Sequence, residues 1–210
     1  MFITFEGIDL AGKTTQLQLL ARYLVDNGYK VITLREPGGT EVSEKIREVL
    51  LSSENDLTPL SELFLFEAAR ADLVSKVLKP MLQKGVIVLC DRFWDSTIAY
   101  QGYGRNLPLD FIKQCNILAS DGIEPDLTFL LEIPYDKMLE RARMKLADRM
   151  ESEPSDFILR VINGFRELAK MYPHRIVIID GTEAIEKIHH KIVEVFNNKF
   201  RKENGKKFGG

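Results

Sequence analysis

The chain has 210 residues, 45% of them hydrophobic, and a formal net charge of -2. That length supports one well-buried core, and so near-neutral a balance gives no global pull toward nucleic acid or an anionic membrane, so neither is expected as a partner. Only Cys90 and Cys115 are present, without metal-type spacing, and Cys90 sits in an apolar run where a reduced thiol is expected. With no basic leader and no uninterrupted apolar stretch of about 18 residues, the expectation is a soluble cytoplasmic protein. One domain is expected over 1–200, followed by a polar, glycine-rich, frayed tail over 201–210.

In chain order, short β-rich apolar runs at 2–5, 31–34, 86–90, 127–133 and 176–179 alternate with longer stretches of helical apolar spacing. The helical stretches are 14–25, 41–51, 60–82, 109–119, 135–145, 156–171 and 183–200, with a short helix after the third strand. Such alternation predicts an α/β fold: a three-layer sandwich with a five-stranded parallel sheet and helices on both faces. Ligands of open parallel sheets bind beyond the carboxyl ends of the strands. Priority therefore falls on 6–15, 35–40, 91–101, the segment from 134 onward, and 180–184.

The first of these segments, Gly7-Ile8-Asp9-Leu10-Ala11-Gly12-Lys13-Thr14-Thr15, fits the phosphate-loop pattern G-x-x-x-x-G-K-[ST] between a strand and a helix. Its glycines let backbone N–H groups close around phosphate oxygens, Lys13 reaches the outer phosphates, and the Thr14 hydroxyl suits Mg²⁺. Asp91 closes the third strand, where the acidic partner of Mg²⁺ is expected. Arg92 beside it has the planar fork that bridges two phosphates, the alternative being a structural ion pair with Asp91 or Glu36. Arg35, in the turn Arg35-Glu36-Pro37-Gly38-Gly39-Thr40, and Arg47, on the next helix, are two further candidate cations.

In the segment 62–70, Phe66 and Arg70 share a helix face by their four-residue offset. A ring to stack on a base and a guanidinium to bond its edge would suit a nucleotide acceptor, and a core position is the alternative for Phe66. The same two readings apply to Tyr100 and Gln101, after Ser96 and Thr97. The cationic run Arg141, Arg143, Lys145 and Arg149 reads either as a solvated helix face or as a mobile lid over about 141–154 that excludes water from the reaction.

Taken in order, these motifs, with 99–102 and 125–128 added, resemble those of the thymidylate kinase family in its bacterial form. The resemblance implies transfer of the ATP γ-phosphoryl group to dTMP, giving ADP and dTDP, with Mg²⁺ required and a homodimeric assembly. It implies that Asp9 meets the sugar 3′-hydroxyl, Phe66 stacks on thymine and Arg70 bonds its O4, while Thr97 and Gln101 line the base pocket. Tyr100 would fill the space a ribose 2′-hydroxyl needs, and Arg92, helped by Arg35 or Arg47, would clamp the acceptor phosphate. Arg141 and Thr182 would flank adenine, and Arg143, Lys145 or Arg149 would supply lid charge. Leu10 departs from the pattern, since bacterial relatives commonly carry glycine there and the eukaryotic type an arginine. Two rival readings are a phosphate-loop kinase of another nucleoside monophosphate or of a deoxynucleoside, and a nucleotide-dependent switch. The switch lacks an Asp-x-x-Gly sequence after the Asp91 strand and an Asn-Lys-x-Asp guanine reader.

Overall fold

The computed structural model describes residues 1–142 and 154–204, the last five as backbone only. The expected five strands are present as β1 (Phe2–Glu6), β2 (Val31–Arg35), β3 (Ile87–Asp91), β4 (Leu127–Glu132) and β5 (Ile176–Asp180). They form one sheet in the order β2-β3-β1-β4-β5, with every pairing parallel. Register sets the ends of β1, β2 and β3 level, with Phe5 and Arg35 both opposite Asp91. The loops that leave these ends therefore emerge side by side, and the first connection departs β1 away from β4, making the crevice beyond β1 and β3 the place for a ligand.

Alternate residues of β1 enter different apolar clusters, which is how a parallel sheet buried on both faces is built. Ile3 and Phe5 pack with Leu17, Leu20 and Leu24 of α1 (Lys13–Asp26) and with Ile192 and Phe196 of α9 (Ile185–Asn204). Phe2 packs with Val74, Leu78, Phe93 and Trp94.

The predicted helix over 60–82 is interrupted. It runs as α3 (Pro59–Leu73), a π-helical segment (Val74–Leu78) and α4 (Lys79–Gln83). Its start is specified locally, with Pro59 in the first turn and the Thr58 hydroxyl accepting from the Ser61 N–H. Thr40 caps α2 (Glu41–Leu51) in the same way, accepting from the Ser43 N–H. The short helix expected after β3 is α5 (Trp94–Thr97), which passes into a second π-helical segment (Ile98–Gly104). There the Arg105 N–H reaches the Tyr100 carbonyl five residues back, at 2.9 Å. The remaining helices are α6 (Leu109–Ala119), α7 (Tyr135–Ala142) and α8 (Ser155–Met171). The lid residues Arg143, Lys145 and Arg149 lie outside the described residues.

Candidate active site

Gly7 leaves β1 at a φ of 133°, and a Cβ there would stand 2.3 Å from the Leu131 carbonyl oxygen, so only glycine fits this turn. Gly12, at φ 95°, forms the N-cap of α1, which starts at Lys13 and aims its free N–H groups into the loop. Leu10 adopts φ 63°, a region that glycine occupies without steric cost. Its carbonyl accepts from Arg141 Nη1 at 2.8 Å, and Arg141 Nη2 donates to the Gly181 carbonyl at 2.9 Å. Arg141 thus joins the phosphate loop to the loop after β5. Thr182, in that loop, is exposed and donates its hydroxyl to Asp180 at 2.6 Å.

Lys13 is buried, and its Nζ donates to the Ile8 carbonyl at 2.8 Å. Burial lowers its pKa to about 8 and nearby Arg92 pushes the same way, only partly offset by Asp9, Asp91 and Glu6. At the mouth of the loop, the Thr14 hydroxyl donates to Asp91 Oδ2 at 2.5 Å. A cleft here is lined by Leu10, Gly12, Lys13, Thr14, Thr15 and Asp91, among others.

Beside it lies a second cavity, walled by Pro37, Leu51, Phe66, Arg70, Phe93, Ser96, Thr97, Tyr100 and Gln101. Four residues, Asp9, Glu36, Arg47 and Arg92, line both spaces. The donor-type loop and the aromatic cavity are therefore joined through a shared border of two carboxylates and two guanidiniums.

Arg92 is the centre of that border. Its φ of 70° turns the side chain back across the loop, where Nη1 donates to the Gly7 carbonyl at 2.9 Å and to Ser96 Oγ at 3.1 Å. Nη2 donates to Asp9 Oδ1 at 2.5 Å, and the guanidinium carbon lies 5.1 Å above the Tyr100 ring. The Tyr100 hydroxyl donates to Asp9 Oδ2 at 3.2 Å. Burial alone would raise the Asp9 carboxyl, but the positive charges of Arg92 and Lys13 outweigh it and hold the group at about 2. Glu6 supports the border from beneath, accepting from the Phe93 N–H at 2.8 Å and from Ser96 Oγ at 2.5 Å. Its burial, with Asp95 nearby, raises it to about 8.

Of the two further cations, only Arg47 reaches both spaces; its Nη1 donates to the Pro37 carbonyl at 2.8 Å. Arg35 lines the loop cleft alone and pairs with Glu44 at 2.9 Å. Phe66 is half-buried and lines the cavity.

Arg70 lines the cavity too, but its donors are already engaged. Nε and Nη2 donate to Glu36 Oε2, Nη1 to Glu67 Oε2 and Asn116 Oδ1, and Nη2 also to Thr97 Oγ1. Those contacts use every N–H of the guanidinium. A bond from Arg70 to a base oxygen has to be shared with one of them. Sequence reasoning missed the supporting carboxylates Glu6, Glu62 and Glu67; charged residues within otherwise apolar runs were the available signal.

This arrangement, a parallel α/β sheet with a phosphate loop opening into an acceptor cavity, defines a phosphate-loop nucleotide kinase. A family model described as thymidylate kinase matches residues 5–192. The thymidylate kinase of Prosthecochloris aestuarii is 49% identical, covering 100% of this chain and 99% of its own, and that of Kosmotoga olearia is 47% identical, covering 93% and 95%. A crystal structure of thymidylate kinase from Ehrlichia chaffeensis superposes with a TM-score of 0.77 at 40% identity, covering 93% of this chain and 98% of that one. The chain belongs to the thymidylate kinase family.

Proposed function

We propose that this chain transfers the γ-phosphoryl group of ATP to the 5′-phosphate of dTMP, giving ADP and dTDP for dTTP synthesis. The observation that carries the reading is the shared border of Asp9, Glu36, Arg47 and Arg92, which places an acceptor cavity against a phosphate loop. Phosphoryl transfer needs alignment and charge neutralisation rather than covalent help. Lys13 and the α1 N-terminus would hold the donor phosphates, and Arg92, with Arg47, the acceptor phosphate. Arg35 is the less suited of the two candidate helpers because Glu44 engages it and it does not reach the acceptor cavity. Phe66 would stack on the base, Thr97, Gln101 and a shared Arg70 N–H would meet its edge, and Asp9 and Tyr100 would bound the sugar.

The adjacent Thr14 hydroxyl and Asp91 carboxylate are hard oxygen donors and fit Mg²⁺, held directly or through its waters. The metal, when bound, neutralises charge on the phosphates. Arg141 would flank adenine with Thr182, and the cations at Arg143, Lys145 and Arg149 are assigned to lid closure on sequence grounds. We also infer a homodimer. Phe64 of α3 and Phe111 of α6 are both exposed and pack edge to face with their centroids 6.2 Å apart, and Leu118 of α6 is 81% exposed. Two free cysteines fit the reducing cytoplasm in which we place the enzyme. Among the described residues no helix is long and apolar enough to cross a membrane.

The test is ADP release from Mg²⁺-ATP with dTMP, dUMP, dGMP, dCMP, UMP and thymidine as acceptors, each product identified by mass. Preference for dTMP with dTDP formed is expected. Preference for another acceptor would keep the kinase and overturn the base assignment.

A further inference from the structure

We propose that Glu62, which does not line the acceptor cavity, sets the enzyme's preference among pyrimidines by fixing which end of the Gln101 amide faces the base. The inference rests on the dTMP reading above.

Glu62 lies in the first turn of α3 and is fully buried. Its Oε1 accepts from Gln101 Nε2 at 2.8 Å and from Arg105 Nε at 3.1 Å, while Oε2 accepts from Arg105 Nη2 at 3.0 Å. The Arg105 guanidinium is itself held 4.4 Å above the Phe157 ring. A carboxylate in an ion pair with a guanidinium offers only lone pairs. Gln101 must therefore turn its NH₂ toward Glu62, and its carbonyl oxygen takes the opposite place. That oxygen accepts no hydrogen bond among the described residues and is not one of the sealed-off polar atoms. Gln101 is buried and lines the cavity, so the oxygen is left for whatever fills that cavity.

The consequence is chemical. A fixed acceptor suits the N3–H of a 4-oxo pyrimidine, thymine or uracil. Cytosine presents a lone pair at N3, and two acceptors would face each other in a site from which water is excluded. Arg70 cannot make this distinction alone, because its N–H groups are already engaged by Glu36, Glu67, Asn116 and Thr97. In this arrangement Glu62 is a positioning residue that acts through Gln101.

Substituting Glu62→Gln supplies a side chain that both donates and accepts, which frees the Gln101 amide to turn over. The experiment compares kcat and KM for dTMP, dUMP and dCMP in the wild type, E62Q, Q101L and E62Q/Q101L. For E62Q we expect a higher KM for dTMP with kcat little changed, and a preference for dTMP over dCMP reduced roughly tenfold. The ratio of dTMP to dUMP should stay constant, since both bases carry the N3–H. Q101L should lower the same dTMP-to-dCMP preference, and E62Q should add nothing in the Q101L background. An unchanged preference in Q101L overturns the proposal even where E62Q fails to fold. So does an E62Q that lowers only the melting temperature, or one whose effect persists in the double variant. A wild type that prefers a non-pyrimidine acceptor would defeat the dTMP reading and this inference together, an outcome distinct from unaltered ratios in variants of a working dTMP kinase.

Discussion

Arg70 places two of its N–H groups on one oxygen of Glu36, Nε at 2.9 Å and Nη2 at 2.7 Å from Oε2, while the other oxygen of that buried carboxylate has no hydrogen-bond partner among the described residues. Glu67 accepts from the same guanidinium at 3.0 Å. Two buried carboxylates thus share one counter-charge at the wall of the acceptor cavity.

Removing that charge should first damage the fold. Arg70→Ala strands Glu36 and Glu67 in a water-poor site, and breaking a buried pair of this kind costs about 3–5 kcal/mol. We expect a large drop in urea midpoint, with any residual fold showing a raised KM for dTMP and an ordinary KM for ATP. A variant as stable as wild type would mean the cluster contributes nothing to folding.

The same burial predicts a pH dependence of stability. Burial raises Glu36 from 4.5 to about 7 despite Arg70, and raises Glu6 to about 8. For groups raised in the folded state, the stability gained from the neutral form is complete below pH 4.5 and is lost as pH climbs through those values. Each unit of pH crossed costs about 1.4 kcal/mol per group. Melting temperature should therefore fall between about pH 4.5 and 8, and Glu36→Gln, neutral throughout, should flatten the part of that slope below pH 7.

Much of this was legible in the sequence, and the remainder has a common cause. Strand runs set by β-branched and apolar residues were displaced by one residue at most, and the phosphate loop was readable because its residues are contiguous. The π-helical segments at Val74–Leu78 and Ile98–Gly104 were not readable, since they leave the apolar periodicity on either side intact. Nor was the choice between Arg35 and Arg47, which depends on Glu44 engaging the first and on α2 carrying the second to both cavities. The saturation of Arg70 likewise needs partners from four separate places in the chain: Glu36 after β2, Glu67 in α3, Thr97 in α5 and Asn116 in α6.

Lys13 should make ATP binding depend on pH. With its ammonium lowered to about 8 by burial, an increasing fraction is neutral above that value, whereas triphosphate binding requires the charged form. Calorimetric titration from pH 7.5 to 9.5 should show weakening affinity, by up to tenfold per unit, and proton uptake on binding. In Lys13→Met the pH dependence over this range should vanish along with most of the affinity.

Thr14 and Asp91 should share the metal requirement. Asp91→Asn keeps the size of the side chain but removes its charge, so the Mg²⁺ concentration for half-maximal turnover should rise while the Kd for dTMP, measured without metal, stays the same. A turnover curve against Mg²⁺ that superposes on wild type would remove Asp91 from the metal site.

Variants at Tyr100 would separate volume from hydrogen bonding in the sugar selection proposed for it. Its hydroxyl contacts Asp9 at 3.2 Å, and its ring packs against Phe157 and Phe165 with centroids 6.1 and 6.2 Å away. Tyr100→Phe keeps the wall, so discrimination against a ribonucleotide acceptor should persist while KM for dTMP changes only severalfold. Tyr100→Ala removes the wall and should raise relative use of the ribonucleotide. It also opens a cavity in the core, at about 3–5 kcal/mol for loss of a large aromatic ring. Comparing the ratio of kcat/KM for the deoxy and ribo acceptors isolates the selective role, because both acceptors meet the same weakened fold. Equal ratios in Tyr100→Ala and wild type would assign the ring to packing against α8 alone.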